Sequence, residues 1–278
     1  MAKMPVNPIE VMNALKKTTA QSEQKIRVGI LIDPLFNEDV ATEIARLCVP
    51  EARNGHTTVD ILDDSLNIRV DKSFDAVLIA VGQATSIYGK ELVAHCHAID
   101  VPACILTTSV QRTELASYYG LSILDAMTVT LDSAEEVLAS WFADNARDKK
   151  VAFARCFPWL RQAIAKEYVS TTALQNAAVG GLLFIPGADM PVMTLNQAKM
   201  VVQIAACYGQ PLSTERIKEL LVVVGGGFAF RTVARQVVGL VPGFGWAIKA
   251  IIGYSGTLAM GYGAIEYFER GGDMDGIV

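Results

Sequence analysis

A chain of 278 residues, 51% of them hydrophobic and 19% charged, can bury a sizeable core in one large domain or two ordinary ones, which excludes extended disorder away from the ends. Residues 1–150 carry 14 Lys and Arg against 21 Asp and Glu, while residues 151–278 carry 10 against 8. Nucleic acid is therefore excluded as a partner of the acidic half, whereas an anionic membrane or an acidic protein surface suits the second.

The first thirteen residues of pattern, 8–20, suit a short amphipathic lead-in helix with Ile9, Val11, Met12 and Leu15 on one face, followed by a polar stretch to Gln24. Ile26–Asp33 is then a continuous apolar run closed by Asp-Pro, and residues 37–49 place Val40, Ile44 and Leu47 on one helical face. Further strands are expected at Thr57–Leu62, Phe74–Val81, Ala103–Thr107 and, more weakly, 126–131, with helices at 86–99, 110–118 and 133–143. Apolar strands alternating with helices imply a doubly wound, mostly parallel sheet covered on both faces.

The charged stretch Asp144–Lys150 marks a boundary, beyond which no strand pattern is convincing. Helices are expected at Trp159–Leu183, Pro191–Tyr208, Ser213–Leu240 and Phe244–Arg270, with Ser213 as an N-cap and Glu215 in the first turn. Gly181–Gly187 and Gly239–Gly243 both read Gly-Leu, apolar residues, then Pro-Gly. Proline presets φ and glycine accepts positive φ, so Pro186-Gly187 and Pro242-Gly243 are expected to form apolar corners between helices.

Gly180-Gly-Leu-Leu-Phe-Ile-Pro-Gly-Ala-Asp-Met-Pro191, Ala206-Cys-Tyr-Gly-Gln210, Gly225-Gly-Gly-Phe-Ala-Phe-Arg231 and Leu240-Val-Pro-Gly-Phe-Gly-Trp246 together resemble the bacterial domain of unknown function 697, over roughly residues 165–270. The resemblance implies a helical region, often associated with membranes, of the kind that frequently follows an Era-like GTPase domain. The α/β part here stands in that GTPase's place. A working phosphate loop needs glycine N–H groups and a lysine around the phosphates, in the order Gly-x4-Gly-Lys-Ser/Thr. After the first strand this chain has Asp33-Pro-Leu-Phe-Asn-Glu-Asp-Val40, with three carboxylates and no lysine. The guanine-reading Asn-Lys-x-Asp is also missing after Ala103–Thr107, so the domain reads as Rossmann-like or as a degenerate GTPase-like fold.

Candidate sites follow from strand ends. Asp33 closes the first strand at the edge where parallel sheets bind ligands, and with Glu38 and Asp39 it offers carboxylates to Mg²⁺; the simpler reading is an acidic turn opening a helix. Gly82, Gln83, Thr85 and Ser86 join a buried strand to a helix and form a candidate anion-binding turn, or an ordinary capped one. His95-Cys-His97 does not suit a metal, because residues two apart on a helix point about 200° apart. Five scattered cysteines without CxxC spacing argue against disulfides or zinc and point to the cytoplasm; the N-terminus has no apolar run of the secretory kind.

In the helical part, Gly225, Gly226, Gly227, Gly253, Gly256, Gly261 and Gly263 each cost about 1 kcal/mol relative to alanine in a helix, so close helix packing, in solution or on a membrane, is expected to compensate. The uncharged stretch 250–265 is too short for an independent span, and Arg231, Arg235 and Lys249 are placed to meet headgroups or a partner. The expected architecture is α/β plus all-α: a lead-in helix and linker over 1–24, a doubly wound sheet domain without a P-loop over 25–150, and a glycine-rich bundle of about four helices over 151–278. The expected role is a cytoplasmic, non-catalytic protein without catalytic residues, metal or cofactor, docking on the cytoplasmic face of the membrane or on a partner protein. The alternatives are a Mg²⁺-dependent hydrolase or phosphotransferase using Asp33, and a soluble self-assembling homo-oligomer.

Overall fold

The computed structural model of the chain describes residues 8–62, 70–82, 87–108, 112–182, 189–211 and 245–271. Two compact units emerge: Glu23–Leu160, and a second in which the N-terminal helix joins the chain from Arg161 onward.

In the first unit, β1 (Ile26–Ile32), β2 (Gly55–Ile61), β3 (Ala76–Ala80), β4 (Ala103–Thr107) and β5 (Ala126–Thr128) form one parallel sheet in the order β2-β1-β3-β4-β5. This is the flavodoxin-like order, whose direction of winding reverses between β1 and β3. All five residues of β3 and of β4 are buried, as a strand covered on both faces must be. Val77, Ile79 and Val81 pack with Leu92, Val93 and Cys96 of α3 (Ile87–Ala98) and Leu115 of α4 (Arg112–Tyr119). Alternation turns Leu78 and Ala80 to the other face, where α2 (Glu38–Leu47) and α5 (Ala134–Asn145) pack on each other. The fifth strand is three residues long rather than the six expected.

The boundary falls later than the charged stretch suggested. After α5 a 3-10 turn (Arg147–Lys149), α6 (Lys150–Cys156) and a second 3-10 turn (Pro158–Leu160) stay with the sheet. The cause is an aromatic cluster. Phe153 lies 5.4 Å and Trp159 5.9 Å from the Phe142 ring of α5, and Trp159 Nε1 donates to the Leu47 carbonyl at 2.5 Å. A charged surface on this segment hid an apolar inner face.

In the second unit, α7 (Arg161–Leu182), α8 (Asp189–Cys207) and α9 (Gly245–Glu269) pack together, and Val11 and Leu15 of α1 (Pro8–Ser22) meet Val202 of α8. The lead-in helix is thus part of the helical unit and not a separate element. Helices α7 and α9 run antiparallel, since Gly180 faces Lys249, Asn176 faces Gly253 and Val169 faces Gly261. The expected helix Ser213–Leu240 with its cap Ser213, the corners Pro186-Gly187 and Pro242-Gly243, Gly225–Gly227, Arg231 and Arg235 lie outside the described residues.

Candidate functional site

At the carboxyl edge of the sheet, Asp33 follows β1 and is held by its own turn. Its N–H donates to the Ala80 carbonyl at 2.9 Å, its carboxylate accepts the Leu35 N–H at 2.9 Å, and its carbonyl accepts the Phe36 N–H at 2.8 Å. Asn37 then caps α2 through its side chain, which accepts the Val40 N–H at 3.0 Å, leaving Glu38 and Asp39 exposed in the first turn where they favour the helix dipole. Among the described residues no group of three His, Cys, Asp or Glu side chains converges closely enough to hold a metal ion.

Gly82 lies at the end of β3, beside Asp33 at the point where the winding reverses. A Cβ there would stand 2.3 Å from the Leu35 carbonyl carbon and 2.5 Å from its Cβ. The β1–α2 turn therefore lies directly against the end of β3 at Gly82. Gln83, Thr85 and Ser86, the rest of the candidate anion turn, lie outside the described residues. Thr107 ends β4 fully buried, and its Oγ1 has no hydrogen-bond partner among the described residues.

His95 Nε2 sits 2.8 Å from the Val70 carbonyl and is half-buried, His97 is exposed, and Cys96 between them turns into the core, as the helical angle requires. All five thiols are buried, and burial pushes Cys48, Cys96 and Cys207 up to about 12, Cys156 up to about 11, and Cys104 well above the ordinary value. They behave as small core residues and not as nucleophiles.

Among the described residues of this unit, two cavities lie at the opposite, amino edge of the sheet, which the sequence did not single out. A trough of about 380 Å³ is lined by Lys72, Asp75, Asp100, Arg147, Asp148 and Lys149 together with apolar neighbours, and a second of about 220 Å³ shares Asp100 and Arg147 with it. Arg147 grips Asp100 with both ends of its guanidinium, at 2.8 and 3.0 Å, and holds the Asp100 carboxyl below the usual carboxylate range. Lys149 Nζ donates to Asp75 Oδ1 at 2.6 Å and to the Lys25 carbonyl at 3.0 Å, and the other Asp75 oxygen accepts the Arg27 N–H at 2.9 Å. Asp100 and Arg147 both have positive φ, 58° and 47°, a conformation uncommon outside glycine. The stretch after α5 thus ties down the starts of β1, β3 and β4. Its charges are spent on the protein's own backbone and carboxylates, which suits a clamp better than a reaction.

In the helical unit the interior is polar at one level. Thr257 Oγ1 accepts from Asn176 Nδ2 at 2.9 Å and Gln197 Nε2 at 2.8 Å and donates to the Gly253 carbonyl at 2.7 Å, while Asn196 Nδ2 donates to Asn176 Oδ1 at 3.0 Å. Asn176, Gln197 and Thr257 are essentially fully buried. Glycine makes this level possible: a Cβ on Gly253 would sit 2.7 Å from the Asn176 carbonyl oxygen, and one on Gly180 would sit 2.8 Å from that of Lys249. No helix among the described residues is long and apolar enough to cross a membrane. On its outer side α9 exposes Ile251 (65%), Tyr254 (37%) and Tyr262 (48%), with Leu258 half-buried between them. These positions are spaced three, four and four apart, so they form one stripe. Lys249, half-buried, is two residues before Ile251 and therefore on another side of α9, where its backbone meets Gly180 of α7.

No curated protein matches the chain. The model of the family described as Domain of unknown function (DUF697) matches residues 145–274, a span that begins at the last residue of α5, earlier than the motifs at 180–246 had placed the likeness, and takes in Arg147, Lys149 and the aromatic anchor. Residues 145–274 of this chain are a DUF697 domain.

Proposed function

We propose that the protein is a non-catalytic docking protein whose helical unit rests on the surface of an anionic membrane through the outer stripe of α9. The observation that carries this reading is the row Ile251, Tyr254, Leu258 and Tyr262 on a 25-residue helix whose opposite side is packed on α7. Apolar and tyrosine side chains in one row suit shallow insertion at the level of the headgroups, where the ring is buried and the hydroxyl stays wet. Arg231 and Arg235, outside the described residues, are the cations expected to contribute about 1 kcal/mol each near anionic lipid, and Lys249, on another side of α9 from the row, can reach it only through its long side chain.

The rival reading, a Mg²⁺-dependent hydrolase or phosphotransferase at Asp33, has less behind it. The Asp33 carboxylate is engaged by the Leu35 N–H, and the turn it stabilises sits on Gly82. The experiment is flotation of the full chain with vesicles containing anionic or only zwitterionic lipid. Binding to anionic vesicles, lost in Ile251→Glu with Tyr262→Glu and weakened by about tenfold or more when Arg231, Arg235 and Lys249 all become Glu, is expected. A wild-type chain that ignores anionic vesicles at low salt overturns the reading in favour of a protein partner.

A further inference from the structure

We draw no further inference here: the strongest candidate, the charged trough at the amino edge of the sheet, belongs to the site already described, and its Arg147, Asp100, Lys149 and Asp75 side chains are engaged with one another and with the protein's own backbone, which leaves none of them to name a ligand.

Discussion

Gly253 and Gly263 lie on the same helix, ten residues apart, and the structure assigns them opposite sensitivities to one methyl group. In Gly253→Ala the new Cβ would lie 2.7 Å from the Asn176 carbonyl oxygen and 3.0 Å from Met193 Cε. The methionine end can swing away, but the carbonyl belongs to α7 and cannot, so the two helices must separate by several tenths of an ångström. That separation acts where Asn176 Nδ2 donates to Thr257 Oγ1 at 2.9 Å. Alanine gains about 1 kcal/mol in helix propensity. Against it stand overpacking of about 1–3 kcal/mol and a weakened buried hydrogen bond of about 1 kcal/mol. The net expectation is a loss of about 1–3 kcal/mol. Around Gly263 nothing lies within 4 Å of a built Cβ, so Gly263→Ala should keep the propensity gain and stabilise by up to about 1 kcal/mol. Urea unfolding of the full chain, with amide exchange read separately over α7 and α9, measures both. A Gly253→Ala protein as stable as Gly263→Ala would refute the argument that glycine is there to bring α7 and α9 together.

Thr257→Val keeps the shape but leaves the Asn176 and Gln197 amide groups without their shared acceptor, and a loss of about 2–4 kcal/mol is expected by the same unfolding measurement. Gly82→Ala should cost about 1–3 kcal/mol, because the Leu35 backbone must move; amide exchange over residues 33–40 would report the loosened turn, and protection equal to wild type would count against it. Asp100 is paired in the folded state and held below its ordinary range, so its contribution is present above that range and disappears as pH falls through the lowered value. Wild type and Asp100→Asn should therefore differ in unfolding midpoint near neutral pH and converge as the pH falls through the lowered Asp100 value, the difference shrinking with added salt. Asp75→Ala removes the acceptor of the Arg27 N–H and the partner of Lys149 and should destabilise the sheet unit by about 1–3 kcal/mol, read as faster exchange at the start of β1.

Period and punctuation made most of the fold legible. The five strands and the helices of the sheet unit appear within a few residues of where apolar runs and Gly or Pro breaks place them, because burial on both faces writes a continuous apolar signal. Strand order was not legible: nothing local in β2 says that it pairs with β1 alone and faces outward on its other edge. The charged stretch Asp144–Lys150 misled because Arg147 and Lys149 look solvent-bound in one dimension, while in three they reach Asp100, Asp75 and the Lys25 carbonyl, 47, 74 and 124 residues away. The glycines of α9 were legible as a cost in need of compensation. What compensates at Gly253 and Gly261 is contact with α7, and the sequence could not separate that from contact with lipid. Asp33 and Gly82 were legible as strand-end residues, but their mutual closeness, and the turn that fills the space between them, depends on the β1–β3 neighbourhood.

The central claim, docking through the outer stripe of α9, is tested most directly by vesicle flotation of the wild-type chain beside Ile251→Glu with Tyr262→Glu, both residues being exposed so that the fold is preserved. Wild type should float with vesicles containing anionic lipid and the double variant should remain at the bottom of the gradient with native circular dichroism. Equal recovery of the two proteins in the same fraction, whether both float or neither does, would contradict the account.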